Sequence, residues 1–248
     1  MTGSRLDGAA WDSRWRARSV LEKVMLCGGL LACAILLPPW PGAALVLAVA
    51  VVAAHLAGLP STHLPRMLGI PLVFILVAGV STAVSLDPSG PVLITTSVES
   101  ITRAQETVAR AIAATAAMLL LASTTPMSDL TDSLRRIGVP SACVDVVTVM
   151  YRMIFLLLDS LAVVRKSQTA RLGYTSVPRS VRSAGLMTAA VLVRAWRRGH
   201  ALERGLSGRN FGEPLARPEK PPVSHRFVLS AVATNVAVAL ASTVPALL

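Results

Sequence analysis

Apolar residues fall along this chain in long unbroken blocks, not in the strict apolar-polar alternation of a strand with one solvated face. Blocks over residues 20–37, 43–57, 67–86, 106–123 and 227–247 are each long enough, or nearly so, to cross a hydrocarbon core about 30 Å thick as a helix of roughly 20 residues. Pro38-Pro39-Trp40-Pro41 closes the first block, Gly58 and Pro60 the second, Asp87-Pro88-Ser89-Gly90-Pro91 the third, and Thr125-Pro126 the fourth. Residues 92–103 have no clear period. Glu22 and Lys23, at the head of the first block, are expected to snorkel to water, and Trp40 suits a membrane interface.

Beyond residue 126 the pattern changes. A short amphipathic helix is expected, with Ser128 as N-cap, Asp129 and Asp132 in its first turn, Arg135 and Arg136 in its last, and Gly138 and Pro140 beyond. Residues 144–164 are apolar except for Asp145, Arg152 and Asp159, which recur every seven residues on one face and point to a helix interface. The same helix continues without a breaker through Arg165, Lys166 and Ala170 to Arg171, turning polar as it leaves the bilayer. After Pro178 a second helix carries an apolar stripe of Leu186, Ala189, Val193 and Trp196 and ends near Gly208.

Composition agrees with a bilayer as solvent: 53% hydrophobic residues, 15% charged residues and a mean hydropathy of +0.62. The net charge of +11 is unevenly placed, with a formal +8 between Pro126 and Val223. Arg5, Arg14, Arg16, Arg18 and Lys23 crowd the N-terminus, whereas the connection after the third block holds Asp87, Glu99 and Glu106 against Arg103. Positive residues are retained in the cytoplasm, so the N-terminus and residues 126–223 are expected inside. With so much of the chain committed to lipid, the basic balance does not read as nucleic-acid binding; anionic headgroups or an acidic protein surface suit it better. The resulting division is an N-terminal tail (1–19), four transmembrane helices (20–125), a cytoplasmic or interfacial module (126–223) and a C-terminal transmembrane helix (224–248).

Candidate chemistry is sparse. The lysines Lys23, Lys166 and Lys220 lie outside any Gly-x-x-x-x-Gly-Lys-Ser/Thr loop, so the chain has no phosphate loop of that kind. His55, His63, His200 and His225 lack ligand spacing, neither a His-Glu-x-x-His motif nor a dense acidic cluster occurs, and no metal site is expected. Cys27, Cys33 and Cys143 form no Cys-x-x-Cys pair and are expected as reduced thiols among helices. What stands out is two Arg-plus-turn units at helix ends, Ala170-Arg171-Leu172-Gly173-Tyr174 and Gly208-Arg209-Asn210-Phe211. Gly173 and Asn210 suit a left-handed helix cap, which would leave the adjacent guanidinium projecting to grip a carboxylate. Neutralising their own helix C-termini is the competing use of these arginines.

Leu134-Arg135-Arg136-Ile137-Gly138-Val139-Pro140, Tyr151-Arg152, the Arg171 unit and the run from Leu202 to Phe211 resemble, in order and spacing, the T component of energy-coupling-factor transporters, specifically its CbiQ type. The resemblance implies an all-α integral membrane protein of about five transmembrane helices with two to three cytoplasmic coupling helices. It also implies a non-catalytic role. Two ABC ATPase subunits, as a homo- or heterodimer, would bind ATP and Mg, and a separate membrane subunit would hold the substrate, leaving this chain without a cofactor of its own. Cobalt is the expected cargo, with nickel or a vitamin as alternatives; a free-standing permease is the alternative of a different class. By position, Ala170, Arg171, Leu172 and Gly173, and then Gly208, Arg209 and Asn210, would meet the ATPase grooves in the plasma membrane of a prokaryote. Leu172 intervenes before Gly173, Gly208 replaces Ala and Asn210 replaces Gly, so the first contact is expected to be the firmer one.

Overall fold

The computed structural model describes residues 8–86, 94–95, 98–208 and 224–247. It is helical apart from one antiparallel pairing of two-residue strands, β1 (Ser85–Leu86) with β2 (Ile94–Thr95). Among the described residues, after a 3-10 turn at Arg14–Ala17, the principal helices are α1 (Val20–Leu36), α2 (Pro39–Leu56), α3 (His63–Ala83), α4 (Val98–Thr124), α5 (Met127–Arg136), α6 (Ser141–Ala170), α7 (Val177–Ser207) and α8 (His225–Leu247). The chain divides into two compact units, residues 1–133 with 219–248, and residues 134–218.

In the first unit α4 packs on α1, α2 and α3, and α8 packs on α1 and α2. The seam is lined by small residues, with Ala50, Ala116 and Ala117 fully buried beside Leu30, Val46 and Leu120. Small side chains let apolar helices approach closely where lipid supplies no hydrophobic drive between them. The outer surface is apolar too: on α3, Ile70, Val73, Phe74, Val77 and Val80 are exposed, as expected of a face turned to acyl chains.

Among the described residues, five helices are long and apolar enough to span a membrane: α2, α3, α4, α6 and α8. At 17 residues α1 rises about 26 Å, the short end of the spanning range. Several expected boundaries move. Residues 98–105, read as ambiguous or as loop, are the polar first turns of α4, where Arg103 and Glu99 pair at 2.7 Å across one turn. The third block leaves its helix at Ala83 because Ser85 and Leu86 turn to pair with β2. In α5, Ser128 lies inside the first turn instead of capping it, since the helix already starts at Met127. Its far end closes as expected: Gly138, with φ of 97°, forms a Schellman cap in which the Val139 amide donates to the Leu134 carbonyl and the Gly138 amide to that of Arg135.

Glu22 and Lys23 do not snorkel. Both are buried, Lys23 completely. Pro126 stops α4 and leaves the Thr124 carbonyl without a following helical donor; Lys23 Nζ donates to it at 2.7 Å. Glu22 Oε1 accepts from the Ser224 amide at 2.7 Å, where the Ser224 carbonyl already receives the first bonds of α8. Burial of both charges is tolerable because each meets a helix end of opposite partial charge.

Candidate functional site

The second unit holds the first Arg unit. α6 keeps one register for 30 residues, apolar in its first two-thirds and polar at its end, and α7 follows a short connection that begins at Arg171. Pro178 at the head of α7 lacks an amide that the first turn would leave unpaired anyway. Ser176 supplies the extended residue before it.

The left-handed residue of this connection is Leu172, with φ of 56°, and not Gly173 as expected. Its geometry follows from three hydrogen bonds. The Leu172 amide donates to the Thr169 carbonyl at 3.0 Å, the Gly173 amide to the Gln168 carbonyl at 2.9 Å, and Ser183 Oγ of α7 to the Gly173 carbonyl at 2.9 Å. A Cβ at Gly173 would stand 2.3 Å from Ser183 Oγ and 2.9 Å from the Gln168 carbonyl oxygen. Glycine is therefore needed here for close approach, and the conformational strain falls on its leucine neighbour. Ser183 escaped the sequence reading. The signal for it was present: it heads the half-buried row Met187, Ala190, Val191, Ala195 on the side of α7 that packs on α6.

Arg171 is exposed, and among the described residues its guanidinium makes no hydrogen bond or ion pair. Leu172 is 64% exposed beside it. Arg204, by contrast, folds back so that its Nε donates to the His200 carbonyl, as an arginine serving its own helix does. Among the described residues the turn thus presents an unpaired planar cation next to an apolar side chain, a pairing able to hold a carboxylate in a partly dry contact. Ala170 ends α6, and Gly208 caps α7 in a right-handed conformation, φ of −76°. Arg209 and Asn210 lie outside the described residues, as does the expected left-handed turn at Asn210.

The three charged residues spaced seven apart on α6, Asp145, Arg152 and Asp159, do not form one cluster. Asp145 pairs with Arg135 of α5, whereas Arg152 and Asp159 are exposed. Two helical turns separate residues seven apart by about 10 Å, too far for a direct ion pair, while the Gly138 turn folds Arg135 back onto Asp145. The apolar stripe expected on α7 also points outward, with Leu186, Val193 and Trp196 all at least half exposed. The α6-facing side is instead the row of Ser183, Met187, Ala190, Val191 and Ala195, about 140° away around the helix at 3.6 residues per turn.

Other candidates are scattered. His63 Nε2 lies 3.3 Å from Ser123 Oγ, His55 is exposed, and His200 contacts Glu203. No group of three or more His, Cys, Asp or Glu side chains gathers among the described residues. Cys27 is buried in α1, Cys33 half-buried and Cys143 exposed.

Residues 12–221 match the family model described as a cobalt transport protein, CbiQ. The chain belongs to the CbiQ cobalt transport family. A cobalt transport protein CbiQ of Rhodobacter capsulatus is 34% identical over 244 residues, covering 98% of each chain. That of Salmonella typhimurium is 30% identical over 208 residues, 78% of this chain and 92% of the relative. A putative fused cobalt transport protein CbiMQ of Methanocorpusculum labreanum is 26% identical over 189 residues, 71% of this chain but 31% of that longer one. With its apolar helices and its family membership, this chain is a multi-pass membrane component of cobalt transport.

Proposed function

We propose that this CbiQ chain is the coupling subunit of an energy-coupling-factor importer, passing ATP-driven movement of two partner ATPases to a separate substrate-binding membrane subunit, with cobalt as cargo. The observation that carries the reading is the Arg171 turn: an exposed cation and an apolar neighbour, locked by Ser183 and Gln168, at the end of a 30-residue helix. A lever needs a stiff arm and a fixed grip. α6 supplies the arm, and the bonds around Gly173 supply the grip.

ATP binding would draw the ATPases together. Arg171, seated against acidic groove residues of one of them, would move with its groove, and Arg209 would do the same on the other. α6 and α7 would carry the displacement to the membrane helices, which would reorient the substrate-binding subunit inward. The fused relative, whose additional length this chain does not cover, supports a neighbouring membrane subunit. The basic balance of residues 126–223 supports their cytoplasmic placement, with the N-terminus on the same side. ATP and Mg belong to the partners, and this chain adds geometry, not chemistry.

The test is co-purification. Wild-type chain should elute with the ATPase dimer, and Arg171→Glu with Arg209→Glu should abolish the complex while the chain stays folded. Full recovery of ATPase by the double variant would sink the coupling assignment.

A further inference from the structure

The chain enters residues 134–218 from α4 and α5 and returns through α8, and both approaches are held by adjacent residues of one helix. Lys23 Nζ holds the Thr124 carbonyl at the end of α4, and Glu22 Oε1 holds the Ser224 amide at the head of α8. The two anchors have opposite sign, each matched to its helix end. Glu22 acts as the glutamate of a capping box does, but from another helix. Arg18 reinforces this side, its guanidinium 4.2 Å from the Phe227 ring centroid and 3.9 Å from Glu22 Oε2, and Trp15 meets the same ring edge-on at 5.5 Å.

From this placement we infer that Glu22 and Lys23 are positioning residues for coupling: a fixed clamp on α1 that holds the end of α4 and the head of α8 to each other. The inference rests on the coupling reading proposed above. A module joined to its membrane unit through two unanchored connections would spend its displacement in stretching them. With the end of α4 and the head of α8 fastened to neighbouring residues, a displacement that arrives at either one reaches both, and these helices pack in turn on α1 and α2. A purely structural need to cap two helix ends could be met by local serines or water. Fully buried charges from a third helix hold the two ends to each other as well.

Two measurements test the clamp. In the isolated chain, Glu22→Leu should speed hydrogen exchange of the Ser224 amide at least tenfold; unchanged exchange would overturn the contact whether or not the chain binds ATPases. In the complete transporter reconstituted in liposomes, Lys23→Met should keep its ATPases yet lose about tenfold in cobalt ions imported per ATP hydrolysed, with Lys23→Arg recovering most of the loss. An assembled Lys23→Met complex with the wild-type ratio would overturn the positioning role. Should Lys23→Met fail to assemble, exchange in the wild-type complex decides: the Ser224 amide stays protected with and without nucleotide while residues 134–218 change, and deprotection at Ser224 on nucleotide binding overturns the clamp. A wild-type chain that recovers no ATPase removes the coupling reading itself, while exchange at Ser224 in the isolated chain still judges the contact.

Discussion

Ser183 Oγ donates to the Gly173 carbonyl at 2.9 Å, and this bond fastens the turn that presents Arg171 onto the start of α7. Because the hydroxyl and the Gln168 carbonyl leave no room for a Cβ, the position admits glycine alone without rearrangement.

Gly173→Ala should therefore displace the turn at a cost of about 1–3 kcal/mol, the range of overpacking in a closed space. Thermal unfolding in detergent should show a lowered midpoint and ATPase recovery should fall. Adding Ser183→Ala should restore only part of either, since the Gln168 carbonyl would still stand 2.9 Å from the new methyl.

Leu172→Gly separates strain from contact. Relief of a left-handed leucine is worth about 1 kcal/mol, so the midpoint should hold or rise. ATPase recovery should drop nonetheless, because the exposed leucine side chain is part of the surface offered beside Arg171.

How much of this was legible in the sequence depends on what each feature obeys. Helix existence follows apolar blocks, so α1, α2, α6 and α8 lie where residues 20–37, 43–57, 144–171 and 227–247 place them. Hydropathy reads the bilayer and not the helix, which is why the polar opening of α4, with its Arg103–Glu99 pair, was missed. The Arg171 unit was visible as a motif, but its left-handed residue was assigned to Gly173 from local preference, whereas Ser183, ten residues on, decides it. Glu22 and Lys23 looked like snorkelling charges because their partners, Ser224 and Thr124, lie far away along the chain and are backbone groups with no signature.

The ion pair between Arg135 and Asp145 joins α5 to α6 with both side chains partly exposed. A double-mutant cycle of Arg135→Gln and Asp145→Asn should return a coupling energy of about 1 kcal/mol, between the values of surface and buried pairs. Arg152→Gln and Asp145→Asn should show no coupling, since the pair spans two turns of one helix.

The central claim is that the Arg171 turn seats against an ATPase, and photo-crosslinking in the assembled transporter tests it most directly. A photoreactive phenylalanine in place of Tyr174, an exposed position of the same turn, leaves Arg171 intact. On irradiation in membranes, the crosslink should join this chain to the ATPase subunit and should vanish when Arg171→Glu is added. Crosslinks to lipid or to another membrane subunit, with none to the ATPase, would contradict the account.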